Sequence, residues 1–204
     1  MKDLITIGLP SKGRLKEKAV SFFEDSGLKI LQSDKERNYF ANIENKPNIK
    51  IIYLHAKEII QRLGDGTLDV GISGLDLLNE SEKSLQDKIG IKQKLNFGGA
   101  NLVVAVPDDW IDVQTIADLE EVAFDIRSKR NTRLRVATKY PNLTSEHFKK
   151  RGVHADCIKL NGAMELAPSM GLCRRIVDLS ESGKTLKANG LIEIEEIMKV
   201  STRL

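Results

Sequence analysis

Short apolar runs alternate with helix-patterned segments along almost the whole of this 204-residue chain, and that alternation points to an α/β fold with a largely parallel sheet. The first cycle predicts a strand at Ile5–Leu9 and then a helix at Leu15–Asp25, in which Leu15, Ala19, Phe22 and Phe23 share one face and Gly27 marks the end. Strand patterns follow at 29–31, 39–43 and 49–54, then a helix at 57–63 closed by Gly64, a strand at 70–72 and a helix from Leu75. The second cycle begins with NLVVAVP at 101–107 and continues with a helix at 116–126, a strand at 135–137, a helix at 144–151, a strand at 157–160, a helix at 164–170 and a strand at 176–178. The last strand pattern, 191–197, predicts a return to the first sheet. Two lobes are expected, residues 1–93 with 187–204 and residues 94–186, joined by crossing segments near 90–100 and 186–190, with a ligand cleft between them.

Composition removes several classes. Thirty-two basic residues face 29 acidic ones, a net charge of +3, too balanced for a nucleic-acid coat yet compatible with local cationic pockets for small anions. The basic cluster Arg127, Lys129, Arg130, Arg133 and Arg135 has little aromatic interleaving and reads as a solvated connection. Cys157 and Cys173 form no CxxC pair and the three histidines have no metal-ligand spacing, so neither a disulfide framework nor a structural zinc is expected. No window approaches a membrane span, and the N-terminal apolar stretch is too short for a signal-peptide core; a cytoplasmic protein without a nucleic-acid or membrane partner is expected.

The richest segment is Ile176–Leu191, IVDLSESGKTLKANGL: a buried strand ending in Asp178, a hydroxyl-rich turn of Ser180, Glu181, Ser182, Gly183, Lys184 and Thr185, and a helix start. Unpaired N–H groups of residues 182–185 at a helix N-terminus suit one phosphate, and Asp178 suits the vicinal hydroxyls of a ribose. A P-loop would need glycine where Asp178 stands. An ordinary capped strand-to-helix connection is the plainer alternative.

Other turns add candidates. Lys12, Gly13 and Arg14 follow the first strand and offer a point charge and a forked donor to a polyphosphate or a departing pyrophosphate, or else form a solvated helix start. Asp69, Gly71 and Gly74, in DVGISGLD, leave room for a stacked purine or simply satisfy a tight turn. Glu165, in NGAMELAP, reads as a polar contact to ribose or metal, or as an exposed carboxylate favoured by a helix dipole.

Five stretches together, LPSKGRL (9–15), DVGISGLDLL (69–78), RVATKYPNLT (135–144), KLNGAMELAP (159–168) and IVDLSESGKTLKANGL (176–191), resemble the catalytic subunit of ATP phosphoribosyltransferase, the first enzyme of histidine biosynthesis. The resemblance implies a two-lobed fold like type II periplasmic binding proteins, with ATP and phosphoribosyl pyrophosphate (PRPP) in the cleft. It implies that N1 of adenine displaces pyrophosphate from C1 of PRPP with Mg2+ present. The ribose 5-phosphate would lie on Glu181–Thr185, the ribose hydroxyls near Asp178, and the polyphosphate on Lys12 and Arg14, with Arg37 a further candidate.

The length resembles the family's short form, which implies a separate regulatory subunit related to histidyl-tRNA synthetase, assembled as a hetero-octamer. His55 stands where arginine is common in relatives, and Cys173, Arg174 and Arg175 replace a smaller, more acidic stretch; no role is assigned at Ala100 and Asn101. Two other classes compete. A solute-binding or sensing domain of the same fold has no need of a phosphate cradle after Asp178. Many other phosphoribosyltransferases carry two adjacent acids before the loop, whereas Leu179 follows Asp178 here.

Overall fold

In the computed structural model, which describes residues 4–32, 39–162 and 164–204 and only the backbone of Gln32 and Glu165, the chain passes twice between two units. Met1–Gly99 with Ser201–Leu204 form unit 1, and Ala100–Val200 form unit 2.

Unit 1 runs β1 (Ile5–Pro10), α1 (Gly13–Asp25), β2 (Ile30–Gln32), β3 (Phe40–Ile43), β4 (Lys46–Leu54), α2 (Ala56–Gly64), β5 (Val70–Gly71), β6 (Ser73–Gly74), α3 (Leu75–Glu80) and α4 (Lys83–Gln86). The sheet order is β2-β3-β4-β1-β5, with β1 parallel to both its neighbours and β2 and β3 antiparallel. A central parallel strand is covered on both faces, and Ile7 through Pro10 are accordingly all buried. Helix α1 lays Ala19 and Phe23 on this core, while Phe22 is only half-buried and meets the Phe23 ring edge-on at 5.7 Å. The helix ends as expected at Gly27: its φ of +78° lets Leu28 N–H reach the Phe23 carbonyl and Gly27 N–H the Glu24 carbonyl, both at 2.9 Å.

Unit 2 contains β7 (Ala100–Pro107), α5 (Ile116–Arg130), β8 (Leu134–Thr138), α6 (Pro141–Lys150), β9 (Ala155–Lys159), β10 (Arg175–Ser180), α7 (Lys184–Ala188) and β11 (Leu191–Val200). Its sheet order is β11-β7-β10-β8-β9, parallel among β10, β8 and β9 and antiparallel at β7 and β11. Strand β7 is buried from Leu102 to Pro107, and full burial of each Leu or Val there contributes roughly 1.5–3 kcal/mol. Leu186 of α7 and Leu191 of β11 join Val103, Ala105 and Ile176 in one apolar cluster, so the turn after β10 is anchored on both sides.

Three expectations are corrected. The last long strand does not rejoin the first sheet: β11 forms a ladder with β7 from Leu191↔Pro107 to Val200↔Ala100, because its apolar face completes the core of unit 2. The chain therefore crosses at 99/100 and 200/201, and residues 187–200 and 94–99 change lobes relative to the expected 1–93/187–204 and 94–186 division. Only β12 (Thr202–Arg203) returns, pairing with β6. Finally, the helix expected at 164–170 is a single 3-10 turn, Met164–Leu166, that buries Met164 and Ala167.

Candidate active site

Strand β10 continues two residues past the expected end, and this changes what the turn after it can offer. Its parallel ladder with β8 ends at Val177↔Thr138, so half-buried Asp178 emerges one residue beyond it, at the carboxyl edge of the parallel strands. Its backbone stays in the sheet through the antiparallel pairing to Val103. Ser180 is not a loop residue. It is buried at the strand end, its Oγ donates to Glu193 Oε1 at 2.5 Å and accepts from Gly183 N–H at 3.0 Å. Gly183, at φ +69°, caps α7, a conformation that costs a side-chain-bearing residue energy.

One of the four amides expected to face an anion, that of Gly183, is thus already taken. The first amides of α7, Lys184 and Thr185, have no intrahelical acceptor, and the side chains of Glu181, Ser182, Lys184 and Thr185 are exposed. Lys184 and Thr185 lie in the helix rather than in the loop.

In unit 1 the turn after β1 forms as expected. Ser11 N–H bonds the Leu54 carbonyl at 2.9 Å, Lys12 is the N-cap of the 13-residue helix α1, and Gly13 has φ +66° with no atom within 4 Å of the place a Cβ would occupy. Lys12 and Arg14 are exposed, no acidic residue lies in the first turn, and neither cation has a counter-ion among the described residues. Two cations beside the first amides of a helix make an anion-seeking end.

The DVGISGLD segment is placed otherwise. Asp69 pairs with the start of β1: its Oδ2 accepts from Thr6 N–H and Thr6 Oγ, each at 2.8 Å. In the parallel register Gly71 lies beside Gly8, so Asp69 is at the amino end of the parallel strands, and the strand from Thr6 to Pro10, about 13 Å, separates it from the turn that carries Lys12. The room left by Gly71 is filled, because a Cβ there would meet Ile59 Cγ2 at 2.6 Å and Leu63 Cδ1 at 3.1 Å. Close packing of α2 on β5 accounts for this glycine. Gly74 backs onto the Asp76 carboxylate, itself buried at the start of α3. Arg37 lies outside the described residues. Glu165 is placed by its backbone in the 3-10 turn of unit 2.

Several residues to which the sequence assigned no role prove well connected. Glu193 sits two residues into β11 and reaches the loop through Ser180. Thr138, fully buried at the end of β8, accepts from Tyr140 N–H at 2.9 Å and meets Thr144 Oγ at 3.2 Å, which positions Pro141 to start α6. His55 caps α2, its Nδ1 3.4 Å from Lys57 N–H. Trp110 lies under two guanidiniums, Arg174 at 5.4 Å and Arg175 at 5.1 Å, with Arg174 also paired to Asp109. Burial holds the Arg175 guanidinium below its ordinary pKa. The basic cluster is partly neutralised by Lys129–Asp125 and Arg133–Asp156.

His147 Nε2 lies 3.3 Å from Glu195 Oε1, which Arg151 also approaches at 2.6 Å, yet off the hydrogen-bonding direction, so that this buried nitrogen stays unsatisfied. Burial lowers its pKa; the Glu195 carboxylate opposes that, and Arg151 adds to it. Among the described residues no three His, Cys, Asp or Glu side chains cluster as a protein-only metal cage, and no helix is long and apolar enough to cross a membrane.

The comparisons with known proteins agree with the five stretches. The family model HisG, ATP phosphoribosyltransferase, matches residues 55–204. An ATP phosphoribosyltransferase from Brucella melitensis biotype 2 is 43% identical over 194 residues, covering 94% of this chain and 84% of the relative. The ATP phosphoribosyl transferase (HisG:HisZ) complex from Thermotoga maritima superposes with a TM-score of 0.75 at 27% identity over 98% of this chain and 86% of that one. The ancestral amino acid-binding protein AncCDT-1, with a TM-score of 0.55 at 13% identity over 98% of this chain and 81% of its own, shares the fold alone. The fold is therefore of the type II periplasmic-binding-protein kind, and the chain, a pentosyltransferase, belongs to the ATP phosphoribosyltransferase family.

Proposed function

We propose that the chain transfers the phosphoribosyl group of PRPP to N1 of ATP, giving phosphoribosyl-ATP and pyrophosphate, the first step of histidine biosynthesis. The observation that carries the reading is the conjunction, in unit 2, of Asp178 at the carboxyl edge of the parallel strands with the Gly183-capped start of α7. Asp178 accepts hydrogen bonds from the ribose hydroxyls. Ser182, Lys184 and Thr185 receive the 5-phosphate, while Glu181, at the edge of the loop, and Glu165 serve as polar contacts to the ribose hydroxyls or to a metal. In unit 1, Lys12, Gly13 and Arg14 hold phosphate oxygens, with Arg37 a further donor.

The bond that forms joins adenine N1 to ribose C1, and the bond that breaks is C1–O to pyrophosphate, whose oxygen keeps the electron pair. Because N1 carries a usable lone pair, no strong base is required. The barrier is lowered chiefly by cations placed where negative charge grows on the leaving group and by alignment of the two reactants. Lys12 and Arg14 supply the first, and Asp178, by fixing the ribose, the second. Its carboxylate also opposes the positive charge that develops at the ribose ring.

Mg2+ would need only one or two carboxylates from the protein, which Asp178 and Glu181 would supply. There it would offset negative charge on the departing pyrophosphate. The Thermotoga maritima relative is a HisG:HisZ complex, which supports a separate partner subunit for this chain as well, and the assembly we propose is a hetero-octamer with a histidyl-tRNA-synthetase-like subunit. ATP and PRPP are cytoplasmic metabolites, which supports a cytoplasmic location.

The test is to mix the purified chain with ATP, PRPP and Mg2+, with and without the partner subunit, and to follow the ultraviolet absorbance of N1-alkylated adenine. Product that disappears in both Asp178→Ala and Thr185→Ala supports reaction and site together. No product even with the partner present overturns the reading.

A further inference from the structure

We infer that Glu193, on β11, is a positioning residue for the PRPP 5-phosphate loop, acting through Ser180; the inference rests on the phosphate-loop reading given above. Ser180 ends β10, Gly183 caps α7, and Glu193 belongs to neither element. A serine hydroxyl has one proton to give and lone pairs to accept with. Here the proton goes to Glu193 Oε1 at 2.5 Å, and a lone pair takes the Gly183 N–H at 3.0 Å. The relay Gly183 N–H to Ser180 Oγ–H to Glu193 carboxylate therefore has one direction, and the carboxylate sets it. Without an acceptor at position 193, the hydroxyl proton is free to turn towards other acceptors, and the contact that holds Gly183 at φ +69° loses its polarisation.

Glu193 also walls the turn. Its Oε1 lies 3.2 Å from the place a Gly183 Cβ would occupy, so the carboxylate sits at the foot of the loop while the exposed side chains of Ser182, Lys184 and Thr185 are left to the ligand. A β-bulge follows immediately, between Glu193 and Glu195, where the β11–β7 register shifts. Bulges re-aim side chains, and this one directs Glu195 to Arg151 while Glu193 serves the loop. The charge of Glu193 is not itself used on substrate; what matters is an acceptor at a fixed place.

The experiment measures steady-state kinetics of the full chain with its partner subunit for Glu193→Ala, Glu193→Gln, Ser180→Ala, the Glu193→Ala/Ser180→Ala double variant and Thr185→Ala, with thermal melting of each. We expect Glu193→Ala to raise KM for PRPP about 5–10-fold, the scale of one net hydrogen bond felt through the loop, with kcat and KM for ATP nearly unchanged. Glu193→Gln, whose amide oxygen still accepts from Ser180, should restore most of the PRPP affinity. The double variant should be no worse than the worse single one. A parallel fall in melting temperature and in kcat, with no rescue by glutamine, would reduce Glu193 to a structural role and overturn the proposal. If Thr185→Ala leaves KM for PRPP unchanged, the phosphate-loop reading fails; if Thr185→Ala raises it and Glu193→Ala does not, the positioning role alone fails.

Discussion

Asp69 closes onto Thr6, taking both the backbone N–H and the hydroxyl of the residue at the start of β1 with a single carboxylate oxygen at 2.8 Å. The Thr6 hydroxyl lies also 2.9 Å from the Thr67 carbonyl, and Asp69 N–H returns a bond to Thr6 O at 3.0 Å, so the entry to β5 is sewn to the entry to β1. An acid in a turn rich in glycine resembles a ligand contact in the sequence; in the fold it is a seam. Asp69→Ala should therefore lower stability by about 2 kcal/mol, two net hydrogen bonds, and the melting temperature by roughly 4–8 °C. KM for ATP measured well below the transition should stay within about 2-fold. A large KM effect without a stability change would return Asp69 to the ligand.

Asp178→Asn keeps size and one acceptor but loses the charge opposing the developing positive ribose. The expected loss is about 10²-fold in kcat/KM, or roughly 2.7 kcal/mol of transition-state binding. Steady-state kinetics at varied PRPP check it, and unchanged values would remove Asp178 from the mechanism.

Arg14 presents a fork where lysine presents a point. Arg14→Ala should cost on the order of 10²-fold in kcat/KM, the usual scale for one donor at a site of growing negative charge, and Arg14→Lys should recover only part of it. Full recovery by lysine would mean that charge alone, without directed hydrogen bonds, serves the phosphate.

His147 is held neutral mainly by burial, its pKa below the ordinary 6.5 despite Glu195. The unfolded chain then binds a proton near pH 6.5 that the native state takes up only at lower pH. Stability contributed by neutral His147 is full above about pH 7 and falls as pH drops through 6.5, levelling once the folded pKa is passed. In His147→Gln the melting temperature should fall less steeply between pH 7 and 5 than in the parent; an identical slope would show that His147 does not set it.

Trp110 is the single tryptophan of the chain and carries two guanidiniums on its ring. Its fluorescence should report unfolding of unit 2. Arg174→Ala should shift the emission and cost about 1 kcal/mol, a cation–π contact together with an exposed Asp109 pair. An unchanged spectrum would show that the stack does not persist in solution.

The alternation of strand and helix patterns, the Gly27 end of α1, the Lys12–Arg14 turn and the Asp178 turn were all legible in the sequence, because each rests on short-range chemistry: periodicity, a positive φ, a cap, a strand edge. The family resemblance was legible for the same reason, being carried by five contiguous stretches. Partner choice was not. The pattern of β11 is that of a strand, but nothing local says that its apolar residues complete the β7 core rather than the first sheet, and so where the chain crosses between units was decided by packing. Likewise Ser180 and Asp69 have the residue types of ligand contacts. Only the tertiary structure, by bringing Glu193 to one and Thr6 to the other across 13 and 63 residues of chain, gives them internal partners, while Ser182, Lys184 and Thr185 stay exposed.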